Sequence, residues 1–409
     1  MTRWIAVLFL VPACFRPSFD RPACPSGECP SGLVCSEAQI CEAPGSGADI
    51  PADVAVEPDA TIVVDAAPDG AGCPTVMSAR MTVSICATFA EQITISTTTS
   101  VDTGRSGTSV PAGLACAQLA AGSPDVCALA ARSIIIAVDA TLAARGTRPL
   151  VLLGHTVDIE GTIDVAGHVG GILAAGADLA GCDTSGAIPM GNGGGQGGTF
   201  SASPGGGGGK GGDSNDIGGA PHPTITIDAL RGGCAGGASN NGVDLNRIGH
   251  GGGAVWIAAD ADGTITLGAE GMINASGSGG SGGVTVTERR GGYGGGSGGL
   301  IVLTAPTITL SPTAAIFADG GGGGGGGSTV QGSPGADPTG PGIGGAGGGP
   351  ANQGAGGAGF PVESRAGTSS TNNSIGGGGG GGGAGTIWTT DPNLVDNPNI
   401  SPRPEIVAR

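Results

Sequence analysis

The sequence predicts an all-β protein: a parallel β-helix-like solenoid with long Gly-rich insertions, preceded by a small Cys-rich module and a disordered linker. Three observations lead there. The stretches AVWIAADADGTITLGAEGMINASG from residue 254 and LIVLTAPTITLSPTAAIFADG from residue 300 share one grammar, and lining up Gly253 with Gly299 and Gly385 brings Trp256, Val302 and Trp388 into register. Each unit holds three short apolar pieces with corners of Gly, Asp and Pro. One coil of a parallel β-helix has this form, and it buries its apolar face only against its neighbours. Lastly, 71 of the 89 glycines fall within residues 186–385, between those units, so the insertions need a physical account of their own.

Composition bounds the rest. With 89 Gly and 28 Pro among 409 residues, low complexity is the first suspicion. Yet 38% of residues are hydrophobic and only 12% charged, the reverse of a chain kept unfolded by its own solvation. The formal net charge of −17, from 16 basic and 33 acidic residues, repels phosphate backbones and excludes nucleic acid as a partner.

Residues 1–13 read as a signal peptide. In MTRWIAVLFLVPAC, Arg3 precedes an apolar run from Trp4 to Val11 that is too short to span a bilayer and suits the apolar region of a secretory signal. Ala13 before Cys14 resembles a bacterial lipobox, which makes Cys14 the expected lipidation site. Lipid there would hold the protein to the membrane and place it in the cell envelope, at the outer membrane or cell surface; cleavage without lipidation would leave it secreted.

Setting Cys14 aside leaves an even set of cysteines: Cys24, Cys29, Cys35, Cys41, Cys73, Cys86, Cys116, Cys127, Cys182 and Cys234. An even set is expected to form disulfides in an oxidising compartment. The module 14–41 contains four of them in CPSGECPSGLVCSEAQIC, at spacings without zinc geometry. Two bridges would replace a core too small to hold itself by burial. The linker 42–72 carries seven acids, no Lys or Arg, and scattered Pro, and so reads as a stiff, self-repelling tether.

A disulfide-containing, β-prone segment, 73–131, opens the folded part, with a short helix expected at 114–119. The solenoid repeats occupy 132–409. Short apolar or alternating pieces at 134–136, 150–153, 157–159 and 163–165 read as strands, and coils are expected to begin near Gln92, Ser133, Leu150, Ala254, Leu300 and Thr386. Cys182 and Cys234 are the two cysteines of the insert 172–253. They are expected to pair, because closing a loop of about fifty residues removes roughly 4 kcal/mol of chain entropy from the unfolded state. For glycine runs such as 320–327 and 376–383 two forms stay open. One is flexible coil; the other is extended threefold helices of the polyglycine II or polyproline II kind, packed side by side.

The order of parts, from VPAC through the Cys knot and acidic linker to GGGGG runs alternating with GLIVLTAPTITL-type strands and closing in GGGGAGTIWTT, resembles glycine-rich cell-surface lipoproteins of myxobacteria. The resemblance spans nearly the whole chain and rests on compositional motifs. It implies an address and an architecture, and no catalytic residues.

Short matches to catalytic motifs are expected by chance in so much glycine. GGSGG at 279–283 and again at 295–299 satisfies G-x-S-x-G, but no helix follows Ser281 or Ser297. GGGGGKGG around Lys210 imitates a phosphate loop, yet Gly211 stands where Ser or Thr must hold magnesium. The DADG turn at 260–263 is a truncated calcium loop and reads as a plain Asp-Gly turn, so neither a metal nor a cofactor is expected.

On HTVDIEGTIDVAGH, residues 155–168, Asp158 and Glu160 leave one strand face toward solvent with Asp164 nearby. These three acids are the candidate site of an alternative reading, a β-helical polysaccharide-binding or polysaccharide-cleaving protein. A solvated strand face accounts for them more simply. Trp256 and Trp388 hold equivalent repeat positions, which favours packing over a ligand platform. The function expected from the sequence is therefore that of a surface-displayed, non-enzymatic structural or adhesin-like lipoprotein, with cell-surface polysaccharide or another surface protein as its partner.

Overall fold

The computed structural model describes residues 34–35, 41–42, 75–78, 81–84, 90–104, 116 and 125–408, the last stretch without 171–172, 179–181, 183–188, 202, 213–214, 240–245, 286–289, 350–353 and 372–374. The expected signal peptide, Cys14, Cys24, Cys29, Cys73, Cys86, the linker apart from Glu42 and, Cys116 apart, the helix expected at 114–119 lie outside the described residues. The chain divides into two compact units, Met1–Asp59 and Ala60–Arg409. In the first, Val34–Cys35 (β1) and Cys41–Glu42 (β2) pair antiparallel, with Cys35 opposite Cys41. In the second, Thr75–Ser78 (β3) and Met81–Ser84 (β4) form another antiparallel pair.

Among the described residues all further strands of the second unit pair in parallel and sort into two sheets. One sheet sets side by side Thr99–Asp102 (β6), Thr141–Arg145 (β8), Thr162–Asp164 (β10), Met272–Asn274 (β12), Ala315–Phe317 (β15) and Ile400–Ser401 (β17). The other sets side by side Ala90–Ile95 (β5), Cys127–Ile136 (β7), Leu150–Ile159 (β9), Ala254–Leu267 (β11), Leu300–Thr304 (β13), Thr386–Thr389 (β16) and Glu405–Ile406 (β18), with Thr307–Leu310 (β14) also on β11.

Side-chain alternation explains how the sheets meet. Leu142, Ile163, Ile273, Ile316 and Ile400 stand in one row across the smaller sheet. Ile134, Val157, Ile265 and Ile308 form a row on the larger one, and both rows belong to one buried cluster. The leading halves of the larger sheet's strands read as continuous apolar runs, LVLL, AVWIAA and LIVL, because they are buried on both faces. Their second face carries the row Ala128, Val151, Trp256, Val302 and Trp388, part of a separate cluster that includes Phe200. The register aligned from the repeats, Trp256 with Val302 with Trp388, is the register the strands adopt. Trp256 is fully buried and donates its indole N–H to the Thr304 hydroxyl at 2.8 Å, so packing is its role.

The expected solenoid is corrected by this topology. Three strands per unit were to close a coil; instead each unit contributes to two parallel sheets, and among the described residues no third sheet closes the turn. Pieces expected as separate strands at 150–153 and 157–159 run together in β9, and their counterparts merge in β11. A third wall would need a third row of inward apolar side chains. After β10, β12 and β15 the chain offers almost none, since glycine dominates there.

Beyond those strands lies a bundle of glycine segments joined backbone to backbone. Along 320–327 every residue is buried, and the hydrogen bonds repeat every third residue. The N–H groups of Gly320, Gly323 and Gly326 donate to Phe360, Gly357 and Gly354; those of Gly321, Gly324 and Gly327 to Gly296, Tyr293 and Arg290; those of Gly322 and Gly325 to Ala336 and Ser333. The carbonyls accept from other neighbours on the same period: Gly321 and Gly324 from Gly382 and Gly379, Gly320 and Gly323 from Gly345 and Gly348, Gly322 and Gly325 from Gly280 and Gly283. One strand of glycine is thus surrounded by six others. Such closeness requires glycine: a Cβ on Gly323 would stand 2.1 Å from the carbonyl oxygen of Gly379. Among the described residues two disulfides brace the second unit, Cys116–Cys127 and Cys182–Cys234.

Candidate functional site

The three acids of the alternative reading do not come together. Asp158 projects from β9 in the larger sheet, between Ile135 and Thr266 of the flanking strands. Glu160 sits in the turn that leaves β9, where its carboxylate lies against Gly268. That turn carries the chain to β10 in the smaller sheet, so Asp164 belongs to a different surface. Among the described residues these carboxylates form no common cluster.

Asp164 is instead the centre of an ion network. Its Oδ2 accepts from the Arg145 guanidinium and lies 3.0 Å from His168 Nε2, while its Oδ1 accepts from the Ala166 N–H at 3.0 Å. His168 Nδ1 faces Asp337 Oδ2 at 3.5 Å, and Asp337 also accepts from the N–H groups of Val169 and Gly279. Burial pushes the Asp164 carboxyl up, but the His168 hydrogen bond, the Arg145 charge and the Ala166 N–H outweigh it and hold it below its ordinary value. The hydrogen bonds to Asp164 and then Asp337 raise His168 to about 9, against burial and Arg145. A carboxylate committed to two cations has no spare basicity for general acid–base work. The network instead fastens β10 to the loop carrying Asp337.

The other histidines are engaged as well. His250 Nδ1 lies 2.6 Å from Asp178 Oδ2, and the Gln196 amide donates to His222 Nε2 at 2.7 Å. None of these pairs includes a serine. The serines of the two GGSGG matches are part of the glycine bundle: the Ser281 N–H donates to the Arg247 carbonyl, and the Ser297 hydroxyl is buried and donates to the Cys234 carbonyl at 3.3 Å.

Two features were missed by reading the sequence. A cavity of about 290 Å³ opens beside Trp388 and Glu405, walled by Ser201, Thr224, Ile225, Thr226 and Ile227. Glu405 Oε2 accepts from the Trp388 indole N–H at 3.2 Å, and the size lies at the lower limit for a small-molecule pocket. The second feature is at the bulge that separates the halves of β11 where it pairs with β9. There His155 Nδ1 lies 2.8 Å from Asp260 Oδ1 and 3.6 Å from Asp262 Oδ1. The DADG turn contained half of that signal; its histidine lies 105 residues earlier.

No family model, curated protein or solved structure matches this chain significantly.

Proposed function

We propose that this chain is a non-enzymatic, surface-displayed structural or adhesin-like lipoprotein, tethered through lipid at Cys14 and held off the membrane by the acidic linker 42–72. The observation that supports this reading is the glycine bundle. Its segments are buried against one another by backbone hydrogen bonds on a three-residue period, which yields a stiff body and leaves little room for side-chain chemistry. The engagement of Asp164 by Arg145 and His168 weighs against the catalytic alternative. A rigid, acidic body with ten cysteines beyond Cys14 suits an oxidising exterior.

The test is anchoring. In cell fractionation the native chain should partition with membranes and into detergent, and Cys14→Ala should appear in the medium or periplasm. Membrane partitioning unchanged by that substitution would rule out the lipid tether.

A further inference from the structure

We infer that His155, Asp260 and Asp262 bind a divalent first-row transition cation of the zinc type at the bulge between the central strands β9 and β11 of the larger sheet. The donor set is mixed, one imidazole nitrogen and two carboxylate oxygens, and all three ligand atoms lie within 4.8 Å of one another. Imidazole with carboxylate suits zinc and its neighbours, whereas calcium takes oxygen ligands almost alone.

The backbone makes a special arrangement to bring these groups together. Between β9 and β11, Gly154 pairs with Ala259 and Thr156 with Thr264, so four residues, Asp260 to Gly263, stand opposite His155 alone. The adjoining strands pass the same level without an insertion. Ala130 pairs with Leu153 and Ser133 with Thr156, two residues opposite two, and β13 passes to β14 through Ala305 and Pro306 only. The bulge folds its two carboxylates back over the imidazole. Glycine at 263 permits that closure, since a Cβ there would meet the His155 carbonyl oxygen at 2.3 Å and Asp260 Oδ1 at 2.7 Å.

A histidine needs one aspartate to orient it. The second, Asp262, has 88% of its side chain exposed, so its place beside His155 adds nothing to core packing, while it completes a three-ligand set. The side chains of His155 and Asp260 are 36% and 26% exposed, so solvent reaches the centre and water can fill the remaining coordination positions, as in open zinc sites.

Isothermal titration of the full-length protein, under non-reducing conditions, with zinc chloride and separately with calcium chloride tests this. One zinc equivalent per chain is expected, with calcium at least ~10-fold weaker. Asp262→Asn should weaken zinc by ~10-fold or more without changing the thermal midpoint, since the residue is exposed, and His155→Gln should abolish the binding. Failure of the native chain to take up zinc, calcium binding as tight as zinc, or native zinc affinity in Asp262→Asn would each overturn the inference.

Discussion

The Ser401 hydroxyl donates to Asp319 Oδ1 at 2.6 Å, fastening strand β17 to a carboxylate just beyond β15. Asp319 is fully buried, and its Oδ2 accepts the Gly342 N–H at 2.9 Å. Burial raises its carboxyl to about 7, against the opposing hydrogen bonds from Ser401, Gly342 and Ile343.

That shift sets a pH dependence. The folded chain binds a proton at Asp319 that the unfolded chain releases near 3.8, so stability falls as pH rises between 3.8 and about 7, by up to about 1.4 kcal/mol per pH unit. His168 acts in the same direction over a higher window. Its contribution is complete below 6.5 and is lost as pH rises through about 9. Thermal midpoints should therefore decline from pH 5 to pH 9. Asp319→Asn should flatten the lower part of that slope alone, and His168→Gln the upper part alone. A native midpoint that climbs across this range would contradict both assignments.

Within the glycine bundle, Gly323→Ala should destabilise by about 1–3 kcal/mol, the usual cost of forcing a methyl into a filled interior, because its Cβ would collide with the Gly379 carbonyl. Gly340→Ala is the contrast. The nearest atom there is Ile343 Cδ1 at 3.7 Å, so the change should be neutral or stabilising by up to about 1 kcal/mol through the unfolded ensemble. Denaturant midpoints of the two variants, with hydrogen exchange at 320–327, measure this; equal effects would mean the bundle is not close-packed.

Trp256→Ala should cost about 3–5 kcal/mol by leaving a cavity in the cluster it shares with Val302 and Trp388. Trp256→Phe refills much of that volume but leaves the Thr304 hydroxyl without its donor, a loss of about 1–3 kcal/mol. Urea unfolding that ranks Phe at or below Ala would show that the hydrogen bond, not the volume, dominates.

The Cys182–Cys234 bridge spans 52 residues of a Gly-rich insert. Replacing both cysteines by serine should reduce stability by about 4 kcal/mol, the loop-closure entropy returned to the unfolded chain. Calorimetry of the double variant checks the size. Non-reducing peptide maps of the native protein should recover the two cysteines in one linked fragment.

How the strands stack was legible from residues alone wherever the signal is local. The apolar rows of β11, β13 and β16 repeat with their flanking glycines, so Trp256, Val302 and Trp388 could be put in register without any knowledge of the third dimension. The same alternation could not say how many walls the fold has. An apolar side chain announces that it is buried without naming what buries it, and three walls were inferred where two sheets and a glycine bundle exist. Nor could adjacency in HTVDIEGTID reveal that the turn after Glu160 moves Asp164 to another sheet, or that Asp260 would return to His155 across 105 residues.

By itself, then, the sequence determined the register of β11, β13 and β16 and the burial of the two tryptophans, because period-two patterning acts between chain neighbours; the coil expected to begin near Ser133 is out of step with the one at Leu150, which pairs with Cys127. Whether 320–327 are loops or a packed core was decided only by tertiary structure. A glycine has no side chain to reveal its partner, and here each donates its N–H to a distant backbone carbonyl, such as Gly324 to Tyr293 and Gly323 to Gly357, groups that every residue carries and that no local pattern can select.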